Sequence, residues 1–296
     1  MSALEDAITS AALAIHDADA LLIAAGAGCS TDSGIPDYTN YANAHPQLES
    51  LGINVFDISH SELFLNNPQL AWGVYGTRMK EYHQAVPHEG YGILKKWCDR
   101  KQDWWVYVSN VDNMFLRSGF ATSNVIECMG SIYELQCATP CCDLRWNAAE
   151  ETWKKLDIDS KTLLAKDEVP RCPQCQGVAR PCTKLATDKR WVRKYADCEE
   201  TMFDDAILHI GYGEKSLAVL EIGCGFQMPK VRRKSEAVVC SFREADRAMV
   251  RFIRVNIDAE HSKLPDWATS DDISIQKNAL QTLVEIDEQL KIFSKK

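Results

Sequence analysis

The sequence predicts a doubly wound α/β fold of the Rossmann type, in which a parallel sheet carries helices on both faces and a smaller zinc-binding insert. Two observations predict the sheet. Short unbroken apolar runs are typical of strands buried on both faces, and their alternation with segments of helical spacing indicates parallel strands joined by helices. The third observation predicts the insert, because between residues 130 and 182 the alternation stops and four cysteines cluster.

The individual elements follow from the spacing of apolar residues. Amphipathic helices are predicted at the start and at the end of the chain, where apolar side chains recur every three or four residues. Further helices are predicted within 69–83 and 90–98. The predicted strands are Ala20–Ala25, Trp104–Val108, Leu217–Ile222 and Phe252–Val255, and the apolar positions of the terminal helices are Leu4, Ile8, Ala11, Ile15, Leu280, Leu283, Ile286, Leu290 and Phe293.

Length and composition set the domain organisation. A chain of 296 residues suits one large domain, or one domain with an insert. Its hydrophobic fraction of 46% and charged fraction of 25% are ordinary for a globular protein, so disorder is not expected. We place the Rossmann-like domain at residues 1–130 and 183–296, and the zinc-binding small domain at 131–182.

The net charge and the hydropathy pattern exclude two classes of partner. A net charge of −9 argues against nucleic acid, because binding to phosphates requires a basic surface. No run of eighteen apolar residues and no signal-peptide pattern is present, so we expect no membrane partner. We therefore expect a cytoplasmic location.

Four of the twelve cysteines form two closely spaced pairs. Cys137 and Cys141 lie four residues apart, and Cys172 and Cys175 lie three residues apart after a gap of about thirty. Two such pairs supply the four thiolates of a tetrahedral structural zinc site. Cys142 is an alternative ligand to Cys141. A redox pair at Cys172 and Cys175 is the alternative interpretation, which the upstream pair disfavours.

A glycine-rich turn follows the first predicted strand. In Gly26-Ala27-Gly28-Cys29-Ser30, glycines allow backbone amides to approach a pyrophosphate without an intervening Cβ. The third glycine of the usual dinucleotide fingerprint is replaced by Thr31, which argues against a hydride-transferring dehydrogenase. A simple tight connection is the alternative interpretation of this turn.

Two polar residues follow the strand predicted at 104–108. Asn110 and Asp112 stand just past its carboxyl end, where open α/β sheets bind ligands. An amide and a carboxylate at this spacing can hydrogen-bond a ribose or a carboxamide. The alternative is an Asx turn that merely ends the strand.

Taken together, five motifs resemble those of the sirtuin family, and the likeness extends over residues 4–257. The motifs are 26–38 (GAGCSTDSGIPDY), 109–112 (SNVD), 127–131 (ECMGS) followed by the cysteine pairs, 180–181 (RP) and 221–225 (EIGCG). The resemblance implies an NAD-dependent protein deacylase, ADP-ribosyl transferase or NAD hydrolase, with NAD and zinc as cofactors. It also implies NAD or ADP-ribose as ligands and an acyl-lysine or ADP-ribosylated protein as partner.

The resemblance assigns roles to residues of this chain. Asn110, Asp112 and Met129 stand at catalytic positions, and Cys137, Cys141, Cys172 and Cys175 stand at the metal positions. The cofactor positions are Gly26, Ala27, Gly28, Ser30, Pro36, Asp37, Tyr38, Asn110, Asp112, Gly223, Cys224, Gly225 and Asn256.

The sequence departs from the sirtuin pattern where catalysis is expected. Met129 aligns with the family's catalytic histidine, and a thioether cannot act as a general base. Losing such a base typically lowers the rate about 10²–10⁴-fold. Further departures are Thr39 for an arginine, Asn113 for a glycine, and Ala186 and Thr187 for an aromatic residue and a glycine in the strand that pairs with the acyl-lysine peptide.

Three functions remain open on the sequence alone. The first is an NAD-consuming transferase or hydrolase, since the residues on the NAD side are present. The second is a catalytically weakened sensor of NAD or ADP-ribose, since the general base is missing. The third is a zinc-stabilised interaction module, because a fold does not fix a function.

Overall fold

The computed structural model describes residues 3–37, 40, 45–54, 57–245 and 249–293, except for the side chain of Lys194. Tyr38 and Thr39 therefore lie outside the described residues. The larger sheet is parallel, has six strands and confirms the predicted doubly wound class. Its strands in spatial order are β3 (Val125–Glu127), β2 (Asp103–Val108), β1 (Ala20–Ala25), β7 (Leu217–Ile222), β8 (Val250–Asn256) and β9 (Ile273–Gln276).

Strand β1 lies at the centre of this sheet and all six of its residues are buried. It pairs with β2 on one side and with β7 on the other. The chain order reverses between β1 and β7, and ligands of such sheets bind outside the carboxyl ends of the strands at this point. The residues that follow β1, β2 and β7 therefore form the candidate site.

Helices cover both faces of the sheet. The chain order of the described helices is α1 (Ala3–Asp17), α2 (Pro46–Ser50), α3 (Leu63–Asn66), α4 (Pro68–Gln84), α5 (Glu89–Cys98), α6 (Met114–Arg117), α7 (Glu150–Lys154), α8 (Lys194–Tyr212), α9 (Lys230–Ala245), α10 (Ala259–Ser262) and α11 (Ala279–Phe293). Helices α1, α4, α5 and α11 contribute to the core on one face, and α8 and α9 contribute to the core on the other.

The terminal helices pack on each other as amphipathic helices, with small corrections to the predicted faces. Ile8, Ala11 and Ile15 of α1 are buried, but Leu4 is 39% exposed because it lies in the first turn at the edge of the contact. In α11 the buried positions include Leu283, Ile286 and Leu290, whereas Leu280 and Phe293 are only half-buried.

The four predicted strands of the six-stranded sheet and the helices predicted within 69–83 and 90–98 are confirmed, and their ends agree within two residues. Strands β3 and β9 were not predicted from the sequence. They have three and four residues, too few for a recognisable apolar run. Both lie at the edges of the sheet, where one side of a strand has no partner in the described part of the chain.

The segment that holds the cysteines forms a second, antiparallel sheet. Its spatial order is β5 (Arg145–Asn147), β4 (Gly130–Cys137) and β6 (Ala179–Thr183). The sheet thus begins at Gly130 and ends at Thr183, and the division of the chain into domains at 131 and 182 stays a prediction.

Helix α4 joins the two parts of the molecule. The Trp72 indole donates to the Ala179 carbonyl over 2.8 Å, and the Lys80 ammonium donates to the Leu156 carbonyl over 2.7 Å. At Gly73 the backbones touch so closely that an added Cβ would lie 1.7 Å from the Leu163 carbonyl oxygen. A side chain at position 73 would therefore push the insert off the helix.

No helix in the described ranges is long and apolar enough to span a lipid bilayer.

Candidate cofactor site and cysteine cluster

The glycine-rich turn after β1 folds into two short 3-10 helices, Ala27–Cys29 and Thr31–Ser33. Its amides already have protein acceptors. Gly28 N–H donates to the Gly223 carbonyl over 3.0 Å, and Cys29 and Ser30 N–H groups donate to carbonyls of the same turn over 3.0 Å. These three amides are therefore not directed at a pyrophosphate in this structure, contrary to the reason given for the motif. Ala27 is the exposed residue of the turn.

The glycines of the turn allow a close approach between backbones. A Cβ on Gly28 would lie 2.8 Å from the Gly223 Cα atom, and a Cβ on Gly26 would lie 2.6 Å from the Gly223 carbonyl oxygen. Gly223 itself has φ +66°, a left-handed conformation that glycine adopts without strain. The motif thus lets the ends of β1 and β7 touch at the point where the sheet reverses.

Ser30, Asn110 and Asp112 form one hydrogen-bond network beside this turn. The Ser30 hydroxyl donates to Asp112 Oδ2 over 2.7 Å and accepts from Asn110 Nδ2 over 2.9 Å. Tyr91 Oη lies 2.9 Å from the same hydroxyl oxygen. Because Ser30 has one proton and gives it to Asp112, Tyr91 donates to Ser30. The structure therefore brings together three residues that were predicted separately.

This network fixes what Asn110 presents to a ligand. Its Nδ2 donates to the Gly26 carbonyl over 3.0 Å as well as to Ser30, so both amide protons are used. Within the described part of the chain, the amide oxygen remains free to accept a hydrogen bond from a ligand. A carboxamide N–H is a donor of the kind that this oxygen accepts.

Asp112 also forms a local turn, the alternative that the sequence left open for it. It is buried, and its Oδ1 accepts from the Met114 N–H two residues on, as in an Asx turn. Burial raises the pKa of its carboxyl, while the Met114 and Ser30 hydrogen bonds oppose the rise. Asp112 thus acts on the site through Ser30.

Two residues of the site were missed by the sequence reasoning. Tyr91 lies on α5, where burial holds the pKa of its hydroxyl well above the usual range. His88 precedes that helix, and its Nε2 lies 2.8 Å from the Cys29 carbonyl oxygen. Both lie about sixty residues from the turn in sequence, and a single sequence holds no signal that would connect them to it.

The ends of β7 and β8 complete the edge of the sheet. Asn256 Nδ2 donates to the Cys224 carbonyl over 3.0 Å, which ties the two strand ends together. The Cys224 thiol is buried and lies 3.6 Å from the Ala24 carbonyl oxygen, so it faces the sheet. A Cβ on Gly225 would lie 3.4 Å from the His261 ring.

Glu221, the first residue of the motif at 221–225, is a buried residue of β7. It is 1% exposed and pairs with Arg254 over 2.8 Å, and it accepts from the Ser235 hydroxyl over 2.6 Å. Both partners hold the carboxylate inside the sheet, below the site.

Pro36 lines a cavity of about 210 Å³ that also contacts His45, Glu81 and Tyr82. The His45 Nε2 and Glu81 Oε1 atoms lie 2.8 Å apart on one wall. Asp37 is not among the residues that line this cavity. Its Oδ1 accepts from the Asn40 N–H over 2.8 Å in a local turn.

Met129 is buried in the loop between β3 and β4, and hydrogen bonds hold this loop on two sides. The Lys184 N–H donates to the Met129 carbonyl over 2.8 Å, and the Lys230 ammonium donates to the Cys128 carbonyl over 3.0 Å. Lys230 also pairs with Glu200. The alignment of Met129 with the family's catalytic histidine stays a prediction.

Neither His88 nor His209 contacts this loop in the described structure. His88 contacts Cys29, and His209 is exposed on α8. Asn113, the departure from the family's glycine, has φ 57° and accepts from the Ser131 hydroxyl over 2.6 Å. Asparagine tolerates the left-handed region better than most residues, so the turn survives this replacement.

The segment that follows β6 corresponds to the strand that pairs with the acyl-lysine peptide in the family. Here it pairs with residues 59 and 60 of the same chain. The Ala186 N–H donates to the Ser59 carbonyl over 2.9 Å, and Ala186 bridges to His60. Arg180 is buried and pairs with Asp188 over 2.5 Å. An extended peptide would have to displace Ser59 to use the Ala186 amide, while Thr187 has φ 52° and breaks the strand.

The four predicted cysteine ligands meet in one cluster. Their sulfur atoms all lie within 4.8 Å of one another, and the pairs Cys137–Cys175 and Cys141–Cys172 are each separated by 3.7 Å. Tetrahedral zinc with bonds of about 2.3 Å requires sulfur atoms about 3.8 Å apart. Cys142 lies outside the set, although its sulfur is 3.7 Å from that of Cys141. The cluster is therefore suited to zinc through Cys141.

Backbone hydrogen bonds close the turn that carries Cys172 and Cys175. The Cys172 N–H donates to the Gly177 carbonyl over 2.7 Å, and the Gln176 N–H donates to the Cys172 carbonyl over 2.9 Å. With four sulfur atoms in mutual contact, the isolated redox pair is disfavoured. A closed set of four thiolates leaves no open position, so the metal would stabilise the insert and do no chemistry.

Comparison with known proteins places the chain in a family. Residues 26–216 match the sequence profile of the Sir2 family. An NAD-dependent protein deacylase of Thermococcus sibiricus is 28% identical over 170 residues, covering 54% of this chain and 57% of the relative. NAD-dependent protein deacylase sir-2.2 of Caenorhabditis elegans is 28% identical over 233 residues, covering 70% and 76%.

Solved structures share the fold. A Sir2 homologue in complex with NAD has a TM-score of 0.66 and 17% identity, covering 95% of this chain and 93% of the other. A Sir2 protein bound to a propionylated peptide has a TM-score of 0.64 and 18% identity, covering 94% and 96%. The chain spans less than two thirds of the Thermococcus relative and of a Pseudomonas aeruginosa NAD-dependent protein deacylase, of which it covers 63%. The match to the profile covers well over half of the sequence, and the chain therefore belongs to the Sir2 family.

Proposed function

We propose that this protein binds NAD at the carboxyl edge of the six-stranded sheet and cleaves the bond between nicotinamide and ribose. The observation that carries the proposal is the network of Ser30, Asn110 and Asp112, which joins the ends of β1 and β2 and uses both amide protons of Asn110. Relatives named as NAD-dependent deacylases and a Sir2 homologue in complex with NAD support it.

The residues of the network have distinct tasks in this proposal. The Asn110 amide oxygen accepts from the nicotinamide carboxamide, because its own N–H groups are already used. Ser30 holds Asn110 in place and is itself oriented by Asp112 and Tyr91. Gly26, Gly28 and Gly223 keep the strand ends in contact below the nucleotide. NAD supplies an activated C–N bond, and the protein positions it for attack.

Zinc has a structural task in the same proposal. Cys137, Cys141, Cys172 and Cys175 would hold it and would fix the insert against the six-stranded domain. The binding of a structural metal contributes free energy to folding directly.

Cleavage of NAD is common to deacylation, ADP-ribosyl transfer and NAD hydrolysis, and the relatives' names favour an acyl-lysine protein as partner. Met129 argues for transfer or hydrolysis over ordinary deacylation, because a thioether cannot take a proton from a ribose hydroxyl. A cytoplasmic location remains our prediction.

A sensor of NAD or ADP-ribose is the second candidate. Met129 also supports it, because it is buried and its loop is held by Lys184 and Lys230. A protein of this kind would bind the nucleotide and would not turn it over.

Two measurements, the melting temperature with NAD and the release of nicotinamide, separate these candidates when made on the parent protein and on its variants. Both candidates predict that NAD raises the melting temperature, because ligand binding to the native state stabilises it. Only the enzyme releases free nicotinamide from NAD. Asn110→Ala should reduce both signals, whereas the control Asn147→Ala, an exposed residue of β5, should reduce neither. An unchanged melting temperature with millimolar NAD and with ADP-ribose would rule out both functions.

A further inference from the structure

The cysteine cluster is in contact with one sulfur atom more than a tetrahedral zinc ion binds. Cys142 lies outside the set of four ligands, yet its sulfur is 3.7 Å from that of Cys141. The same distance separates the sulfur atoms of the ligand pairs Cys137–Cys175 and Cys141–Cys172. It also matches the spacing of about 3.8 Å between sulfur atoms on tetrahedral zinc. The Cys142 sulfur is therefore one ligand spacing away from the position that the Cys141 sulfur occupies.

The two ligand turns differ in how firmly the backbone holds them. The turn at Cys172 is closed by hydrogen bonds of 2.7 Å to the Gly177 carbonyl and of 2.9 Å from the Gln176 N–H. The bend at 139–143 joins β4 to β5, and in the described part of the chain no backbone–backbone hydrogen bond involves its residues. Local rearrangement costs least where such bonds are few. The bend can therefore turn to present the next cysteine, whereas the turn at Cys172 is fixed.

The four ligands also differ in exposure. Cys137 and Cys172 are buried, whereas Cys141 and Cys175 are exposed. Oxidants modify accessible thiolates first. Two of the ligands are thus open to modification, and among the described residues only Cys141 has a thiol from outside the ligand set beside it.

We propose that Cys141 is a site of oxidation by peroxides, and that Cys142 is a reserve ligand that replaces it on the metal. The Cys141 thiolate attacks one oxygen of hydrogen peroxide, the O–O bond breaks, and a sulfenic acid and hydroxide form. The sulfur loses two electrons and the peroxide gains them. Cys142 releases its proton as it binds the metal, and this proton converts the hydroxide to water. Four thiolates therefore remain around the zinc. The proposal rests on the proposed zinc site and is independent of the cleavage of NAD.

Substitution of the exposed ligands is the first test, because serine removes a thiolate as oxidation does. Cys141→Ser should keep stoichiometric zinc, since Cys142 takes the vacant position. Cys175→Ser is the matched variant, an exposed ligand without a reserve, and should lose the metal. The double variant Cys141→Ser/Cys142→Ser should lose it as well. Metal analysis after dialysis measures the zinc, and the melting temperature reports whether each variant is folded.

Oxidation by hydrogen peroxide is the second test, with the released zinc followed by a metal-binding dye. In the parent protein only oxidation of Cys175 frees the metal, whereas in Cys142→Ser oxidation of either exposed ligand frees it. Cys142→Ser should therefore release zinc about twofold faster, if the two exposed thiolates react equally. Parent protein that has kept its zinc should carry a sulfenic acid at Cys141, which a dimedone label and mass spectrometry locate. Cys198→Ser, at an exposed cysteine outside the cluster, should release zinc at the parent's rate.

The outcomes separate this inference from the proposed zinc site. If Cys141→Ser loses zinc as Cys175→Ser does, Cys142 is no reserve and the four-cysteine site stands. Equal rates of zinc release from the parent and from Cys142→Ser would also overturn the inference. If the parent protein contains no zinc, the proposed zinc site and the inference fail together.

Discussion

Gly28 and Gly223 lie 195 residues apart in the chain, yet a Cβ on Gly28 would lie 2.8 Å from the Gly223 Cα atom. The Gly28 N–H also donates to the Gly223 carbonyl over 3.0 Å. This contact joins the first loop to the end of β7. The glycine of the motif therefore serves a contact between two strand ends before it serves any ligand.

The first prediction concerns this contact. Gly28→Ala should destabilise the protein by about 1–3 kcal/mol, because the new Cβ forces two backbones apart in a packed region. Urea unfolding measures the change. Gly92→Ala is the control, since nothing lies within 4 Å of a Cβ there and alanine favours the helix. If Gly28→Ala lost only the response to NAD and kept its stability, the glycine would serve the ligand directly.

The second prediction concerns the Ser30 hydroxyl, which has three hydrogen-bond partners. Ser30→Ala should cost about 1–3 kcal/mol, because it removes the hydrogen bond to Oδ2 of the buried Asp112 carboxylate and leaves only the Met114 N–H as a donor to the other oxygen. It should also reduce the rise in melting temperature that NAD produces, since Asn110 loses its orientation. Ser50→Ala, at an exposed serine, is the control for both measurements. A full NAD response in Ser30→Ala would show that the network does not position the ligand.

The third prediction concerns the cysteine cluster. Metal analysis should find one zinc per chain, and Cys172→Ser should lose it and unfold the insert at a lower temperature, because metal binding contributes to folding. Cys198→Ser, at an exposed cysteine outside the cluster, should retain the metal. A Cys142→Ser variant that lost zinc would show that Cys142 and not Cys141 is the fourth ligand.

The fourth prediction concerns Met129. Met129→His should raise NAD-dependent removal of an acetyl group from a lysine peptide by ~10²-fold, because it supplies the general base that deacylation requires. Met202→His, at a position of α8 that is 56% exposed, is the matched control. Nicotinamide release with and without the peptide measures the effect. Vigorous deacetylation by the parent protein would contradict the placement of Met129 at the base position.

The fifth prediction concerns acid stability. Hydrogen bonds from Lys291, Lys96 and Trp97 lower the pKa of Asp287 to about 2, against the opposing effect of burial. A lowered pKa stabilises the folded state above the ordinary pKa of about 4, and this contribution is lost as the pH falls from about 4 to about 2. Asp287→Asn should therefore lower stability at pH 7 and flatten its decline in acid. Asp99→Asn, at an exposed carboxylate, is the control.

The elements that could be predicted are those with a strong local signal. Strand β1 is buried on both faces, and this requires the apolar run that the sequence shows. The cysteine ligands could be predicted because a metal site needs thiols at short spacing. The exact ends of the small domain, predicted at 131 and 182, are less well defined, because the composition of the chain changes gradually there.

The contacts that could not be predicted are those between distant segments. Tyr91 reaches Ser30 from a helix whose own sequence only indicates an amphipathic face. Lys230 reaches the Met129 loop from 102 residues away. Glu221 pairs with Arg254 of the neighbouring strand, a contact that the motif at 221–225 does not indicate.

The sharing of helix α4 between the two parts of the molecule has a thermodynamic consequence. One stretch of this helix holds the insert through Trp72, Gly73 and Lys80, and the next turn supplies Glu81 and Tyr82 to the cavity beside Pro36. If the metal orders the insert and the nucleotide orders the cavity, each favours the same position of the helix. Linkage is reciprocal, so the factor by which zinc tightens NAD must equal the factor by which NAD tightens zinc. A chelator would then remove the metal from the nucleotide-bound protein only at a higher concentration, and nucleotide status would set how tightly the chain holds its zinc.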